Sequence, residues 1–193
     1  MNLSFAIVFV AWAVTASAAV NSSDQPPLPY LDWGACPFEC CTYRKWQANT
    51  SVTIYKSRNQ KAEVAFQLKQ GEWVSRVTGV VVTNQFGISK ILKPLELGYR
   101  PKDDKPQLSL TPGELVYTLH YLGEGFDLFW YKGKTYSDQI SSREPDPDPP
   151  PPELNIQVIS LPKYVWWAKI RNKAGLIGWT DESNKFNNQD ACV

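Results

Sequence analysis

Phe66-Gln-Leu68-Lys-Gln-Gly71-Glu72-Trp73-Val74-Ser-Arg-Val77 recurs, 42 residues further on and without a gap, as Leu108-Ser-Leu110-Thr-Pro-Gly113-Glu114-Leu115-Val116-Tyr-Thr-Leu119. The shared pattern is Φ-x-Leu-x-x-Gly-Glu-Φ-Val-x-x-Φ, with Φ apolar. It describes the end of one strand, a tight turn whose glycine takes positive φ, and a second strand leaving in a new direction. A unit of this kind occurring twice argues for two copies of one small all-β fold.

The surrounding sequence agrees. Val52–Tyr55, Glu63–Leu68, Trp73–Val77 and Val80–Thr83 alternate as strands do, and Gly71, Gly79 and Gly87 punctuate them. Ile88–Leu97 continues the pattern, but Pro94 confines it to an edge or to two short pieces. After the second unit come Phe126–Tyr131, a Lys132-Gly133-Lys134 turn and Thr135–Ile140. Arg143-Glu-Pro-Asp-Pro-Asp-Pro-Pro-Pro-Pro152 then holds six prolines in ten residues and reads as an exposed polyproline II loop, either a stiff spacer or a ligand for an aromatic groove. Tyr164–Arg171 and Leu176–Thr180, separated by Asn172–Gly175, form a hairpin pattern. Composition fits short strands and many turns: 8 Trp, 9 Tyr and 8 Phe favour sheet, and 15 Pro break helices.

Trp166-Trp167-Ala-Lys-Ile-Arg171, the polar turn to Gly175 and Gly178-Trp179-Thr180 resemble the closing hairpin of bacterial SH3-like (SH3b) domains. The Leu-x-x-Gly-Glu-Φ-Val unit is similar to the turn that opens the sheet of such a barrel. The resemblance implies two SH3-like barrels in tandem, over residues 48–98 and 108–186, with a linker at 99–107, the proline insertion at 143–152 and a tail at 187–193. So divided, the first copy lacks a Trp-rich hairpin of its own. Asp32-Trp-Gly-Ala-Cys-Pro-Phe-Glu-Cys-Cys41 resembles the N-terminal cap of exported bacterial proteins carrying these domains, which places a leader and Cys-rich cap at 20–47.

Residues 1–19 carry no charged side chain, and Leu3–Val14 is apolar apart from Ser4. With Ala16-Ser17-Ala18-Ala19 behind it, the run reads as a signal peptide; the other reading is an uncleaved anchor. No later run is long and apolar enough to span a membrane, so the mature chain is expected to be exported, periplasmic or extracellular. Its four cysteines, Cys36, Cys40, Cys41 and Cys192, then read as two disulfides. A bridge between adjacent Cys40 and Cys41 is strained, which leaves one local bridge and one long one to Cys192. The expected pairs are Cys36–Cys41 and Cys40–Cys192.

The net charge of +1, with both signs interspersed, gives no basic face for nucleic acid. Cys-x3-Cys-Cys has the wrong spacing for a zinc knuckle and the chain has one histidine, so neither metal nor cofactor is expected. That histidine, His120, lies in an alternating strand with no nucleophile motif beside it, and no polar cleft is expected around it. Glu114, Glu124 and Asp127 are near in sequence, but their Gly-Glu-Gly segment reads as a turn. Trp166 shares a strand face with Ala168 and Ile170 and reads as core. Trp167 shares the other face with Lys169 and Arg171, either exposed to solvent or packed against a neighbouring element. Trp167, Tyr164, Lys169 and Arg171 are the candidate ligand-binding residues. The expected function is non-catalytic binding of a peptide, a protein or a cell-wall component, with peptidoglycan suggested by the resemblance alone. A purely structural envelope protein and a small hydrolase are the alternatives.

Overall fold

The structure, a computed structural model, describes residues 24–36, 40–97, 108–140 and 144–189. The expected signal peptide, the expected linker and Cys192 lie outside the described residues. The chain is all-β, as expected: among the described residues the one helical element is a 3-10 turn, η1 (Ser183–Lys185).

The first repeat unit joins β4 (Val64–Leu68) to β5 (Trp73–Gln85), and β1 (Tyr30–Trp33), β2 (Lys45–Ala48) and β3 (Val52–Tyr55) precede it. Gly71 has φ +84°, a conformation closed to most side chains. Its N–H donates to Ala48 O (2.7 Å), and Ala48 N–H donates to Glu72 O (2.9 Å). Glu72 Oε2 accepts from Lys69 N–H at 2.6 Å, tying the turn across its mouth.

The second unit repeats every one of these bonds. It follows β6 (Gly87–Ile91) and β7 (Leu95–Leu97), and it joins β8 (Leu108–Leu110) to β9 (Leu115–Gly123). Gly113 has φ +94°. It donates to Ile91 O (2.8 Å), Ile91 donates to Glu114 O (2.9 Å), and Glu114 Oε2 accepts from Thr111 N–H (2.7 Å). Leu68 and Val74 of the first unit and Leu110 and Val116 of the second each enter their own apolar core.

The remaining strands are β10 (Phe126–Tyr131), β11 (Lys134–Asp138), β12 (Ile156–Ser160), β13 (Lys163–Arg171), β14 (Ile177–Thr180) and β15 (Phe186–Asn187). The first sheet runs β15-β2-β5-β13-β14-β3-β4, with β1 added to β5; the second runs β12-β6-β9-β10-β11, with β7-β8 as a separate pair. With β6, β9, β10, β11 and β12 written for β2, β5, β13, β14 and β15, the second order repeats the first. The copies are nested rather than consecutive. β5 pairs with β13 from Gln85↔Lys163 to Ser75↔Arg171, and the whole second copy lies between those two strands. The division into 48–98 and 108–186 is therefore corrected. The Trp-rich hairpin belongs to the first copy, and β10–β11 is the hairpin of the second. Long-range antiparallel pairing leaves no local trace in sequence, which is why the linear reading gave that hairpin to the copy beside it.

Two cores result. Trp46, Ile54, Val74, Val81, Trp166, Ala168, Ile170 and Phe186 fill the first, and Ile91, Leu110, Val116, Phe129 and Tyr131 the second. Between the copies Thr83 Oγ1 donates to Leu119 O at 2.9 Å, and Tyr30 meets the ring of Trp130 edge-on at 6.2 Å.

Ahead of β2, Cys36 and Cys41 form the expected local disulfide. Cys40 is also disulfide-bonded, and its expected partner Cys192 lies outside the described residues. Arg76, 6% exposed, fastens this cap to the first core. Its guanidinium lies 3.8 Å from the ring centre of Tyr43, 4.9 Å from Trp46 and 4.6 Å from Trp166. It also donates to Cys36 Sγ, Cys41 Sγ and Ala35 O. Burial lowers its pKa to about 10, which leaves it charged at neutral pH.

Candidate functional site

Side chains alternate across a strand, so the pairing of β1, β5 and β13 decides which residues share a face. Leu31, Val82 and Val165 are matched in register, as are Trp33, Val80 and Trp167. Trp166 and Ala168 point the other way, into the first core, as the alternation predicts. The face bearing Trp167 is covered in part by the segment linking β3 to β4.

Between them lies a cavity of about 710 Å³. Pro29, Leu31, Val82, Val165 and Trp167 give it an apolar side, and Ser57–Lys61 with Asn84 and Asp181 a polar one. Trp167 is only 6% exposed, so it is a largely covered wall of the groove rather than a free solvent contact.

The polar wall is built rather than loose. Asn59 Oδ1 accepts from Lys61 N–H at 2.8 Å, an Asx-type turn that fixes the loop. Gln60 Nε2 donates to Asp181 Oδ2 at 2.6 Å, and Asp181 Oδ1 is buried with no hydrogen-bond partner. Arg58 lies 4.7 Å from the ring centre of Trp33 and 5.7 Å from that of Trp179, and those two rings meet edge-on at 6.3 Å. Stacking of this kind holds a guanidinium in place while its edge N–H groups stay available. Neither Arg58 nor Lys61 makes an ion pair among the described residues.

The four sequence candidates do not form one cluster. Lys169 reaches the rim of the same face, its Nζ 5.4 Å from the Trp179 ring centre. Arg171, opposite Ser75, is exposed at the far end of β13 and outside the groove. Tyr164 instead turns to the junction between copies, its ring 5.8 Å from that of His120. Burial raises its phenol pKa, and a hydrogen bond to the backbone of Tyr121 opposes the rise. Pro29, Leu31, Arg58 and Asp181 join the site although sequence reading did not select them. The Arg58-Asn59-Gln60-Lys61 run between two strands was the available signal.

At His120 two polar partners converge on the ring. Its Nε2 lies 2.9 Å from Asp32 Oδ2 and its Nδ1 lies 2.9 Å from Tyr121 O. The convergence is a buried contact, not a cleft. The ring is 0% exposed and both nitrogens are engaged, so neither is available to a substrate. Glu114 is held by Lys132, Thr111 and Tyr131, which lower its pKa to about 2. Asp127 lies 3% exposed opposite Tyr121, and Glu124 sits in a turn at φ +52°.

Among the described residues no helix is long and apolar enough to cross a membrane. No family model, curated protein or solved structure matches this chain.

Proposed function

We propose that this protein is an exported, non-catalytic binding module built from two SH3-like units, one inserted into the other. Its working surface is the Trp167 groove, which takes an extended strand from a peptide, a protein or the cell wall. The observation that carries this reading is the combination at one place of a covered apolar wall and an arginine stacked on Trp33 and Trp179 without an ion pair. Such a wall desolvates a ligand, and a pre-ordered guanidinium loses little side-chain entropy on binding. The Cys36–Cys41 disulfide supports an oxidising compartment and hence export.

The test uses the chain from residue 20 onward against isolated cell wall and a library of extended peptides, with tryptophan fluorescence and co-sedimentation as readouts. Arg58→Ala and Lys61→Ala should weaken retention, while Arg171→Ala, outside the groove, should leave it unchanged. Retention indifferent to Arg58 and Lys61 would place the contact elsewhere. A second reading, a structural envelope protein, is favoured by the 6% exposure of Trp167. It expects no saturable ligand.

A further inference from the structure

We propose that the groove receives the acidic, proline-rich segment of a second copy of this chain. The inference rests on the binding role given to the groove above and specifies its occupant. On one side, the wall of the groove carries two cations, Arg58 and Lys61, that lack ion pairs among the described residues. The one carboxylate among its lining residues, Asp181, already accepts from Gln60.

On the other side, Glu144-Pro-Asp-Pro-Asp-Pro-Pro-Pro-Pro-Glu153 places four carboxylates and no cation in ten residues. Asp148 and Glu153 are exposed and make no ion pair among the described residues. The segment is fastened at several points along its length. Asp146 N–H donates to Val158 O (2.8 Å), and Asp146 Oδ2 accepts from Val158 N–H (2.6 Å). Gln157 Nε2 donates to Pro147 O, and Lys93 Nζ donates to Glu153 O, each at 3.2 Å. Asp148 and Pro149, between the ties at Pro147 and Glu153, are exposed.

A proline-rich strand already ordered in this way loses little entropy on docking, and its rings suit a Trp, Val and Pro wall. Its carboxylates match the unpaired cations with charge-assisted bonds. The same ties hold the segment beside β12 in its own molecule, and none of its residues lines that molecule's groove. Each chain thus presents both halves of the contact to a partner copy.

The test is sedimentation velocity of the full mature chain over a concentration series, in 50 mM and 500 mM salt. The expected result is a reversible association that weakens at high salt. Arg58→Glu and Asp148→Lys should each weaken it at least tenfold, and an equimolar mixture of the two variants should restore it. Restoration also shows that both variants are folded. A synthetic Glu144–Glu153 peptide should compete, and its all-amide analogue, with Asn and Gln in place of Asp and Glu, should not. A concentration-independent monomer would overturn the inference, as would association indifferent to both charge reversals. In either case Arg58-dependent retention of cell wall or other peptides would leave the wider groove reading standing, and loss of both would end it.

Discussion

Excising the inserted copy tests the nesting directly. Gln85 and Lys163 face each other across the β5–β13 ladder, so an Asn-Gly pair replacing residues 86–162 would turn these strands into a simple hairpin. Shortening that connection from roughly 75 residues to two relieves about 3 kcal/mol of loop-closure entropy as an upper figure. Against this, the excision removes the Thr83 bond to Leu119, the Asp32 contact with His120 and the Tyr30–Trp130 ring contact, on the order of 1 kcal/mol each. The terms nearly cancel, and the shortened chain should keep a cooperative urea transition and native near-ultraviolet circular dichroism. A fragment of residues 48–98 has the opposite fate. It lacks Trp166, Ala168, Ile170 and Phe186 from the first core. Losing a large buried side chain costs about 2–5 kcal/mol, so losing Trp166, Ile170 and Phe186 together is comparable to the roughly 5–15 kcal/mol that hold a typical domain folded. That fragment should be unfolded. Cooperative folding of 48–98, or no transition in the shortened chain, would refute the reasoning.

Gly71→Ala and Gly113→Ala should each cost about 1 kcal/mol in urea titrations: left-handed backbone penalises alanine by about 1–2 kcal/mol, and the stiffer unfolded chain returns part of it. An added Cβ meets nothing within 4 Å at either site, so a much larger loss would mean that something other than backbone conformation is at stake. Glu114 has its pKa lowered from 4.5 to about 2, chiefly by Lys132, so its contribution is complete above pH 4.5 and is lost as pH falls through 2. After allowance for solvent screening this amounts to about 1–2 kcal/mol. Glu114→Gln should therefore flatten the stability profile of the second copy across that window, and an unchanged profile would remove the assigned role. Arg76→Ala should destabilise by about 2–4 kcal/mol in thermal or urea melts, since it empties an aromatic cage and leaves Ala35 O with fewer donors. A neutral result would show that the buried charge costs as much as its contacts return.

The local features were legible because local chemistry determines them. Gly71 and Gly113 need positive φ within their own turn, and the sequence repeat announces both. Cys36 and Cys41 are close along the chain and pair accordingly. The glutamates that tie the two turns were visible in the repeat, although their bonding was not inferred. The nesting was legible only by counting. Two hairpin patterns, 126–140 and 164–180, follow the second repeat unit and none follows the first. The groove was hidden for a physical reason: its walls come from β1, the β3–β4 segment, β5 and β13, which meet only through long-range pairing. Alternation placed Trp167 on the face opposite the core correctly, but it carries no information about Leu31 and Trp33 sharing that face or about Arg58 reaching it. His120 and Asp32 are separated by 88 residues, and no local pattern links them.

Interrupting β5 and β13 with an entire second copy also orders events in time. During synthesis the chain emerges from its N-terminus, so β2 to β5 appear well before the strands that complete their sheet. The inserted strands, β6 to β12, find all their ladder partners among themselves and can close first. Their closure brings Gln85 and Lys163 together and shortens the search of the waiting outer strands. The outer half therefore matures last, and its unpaired β5 edge is the place where a stalled chain is most open to capture by chaperones or by other chains.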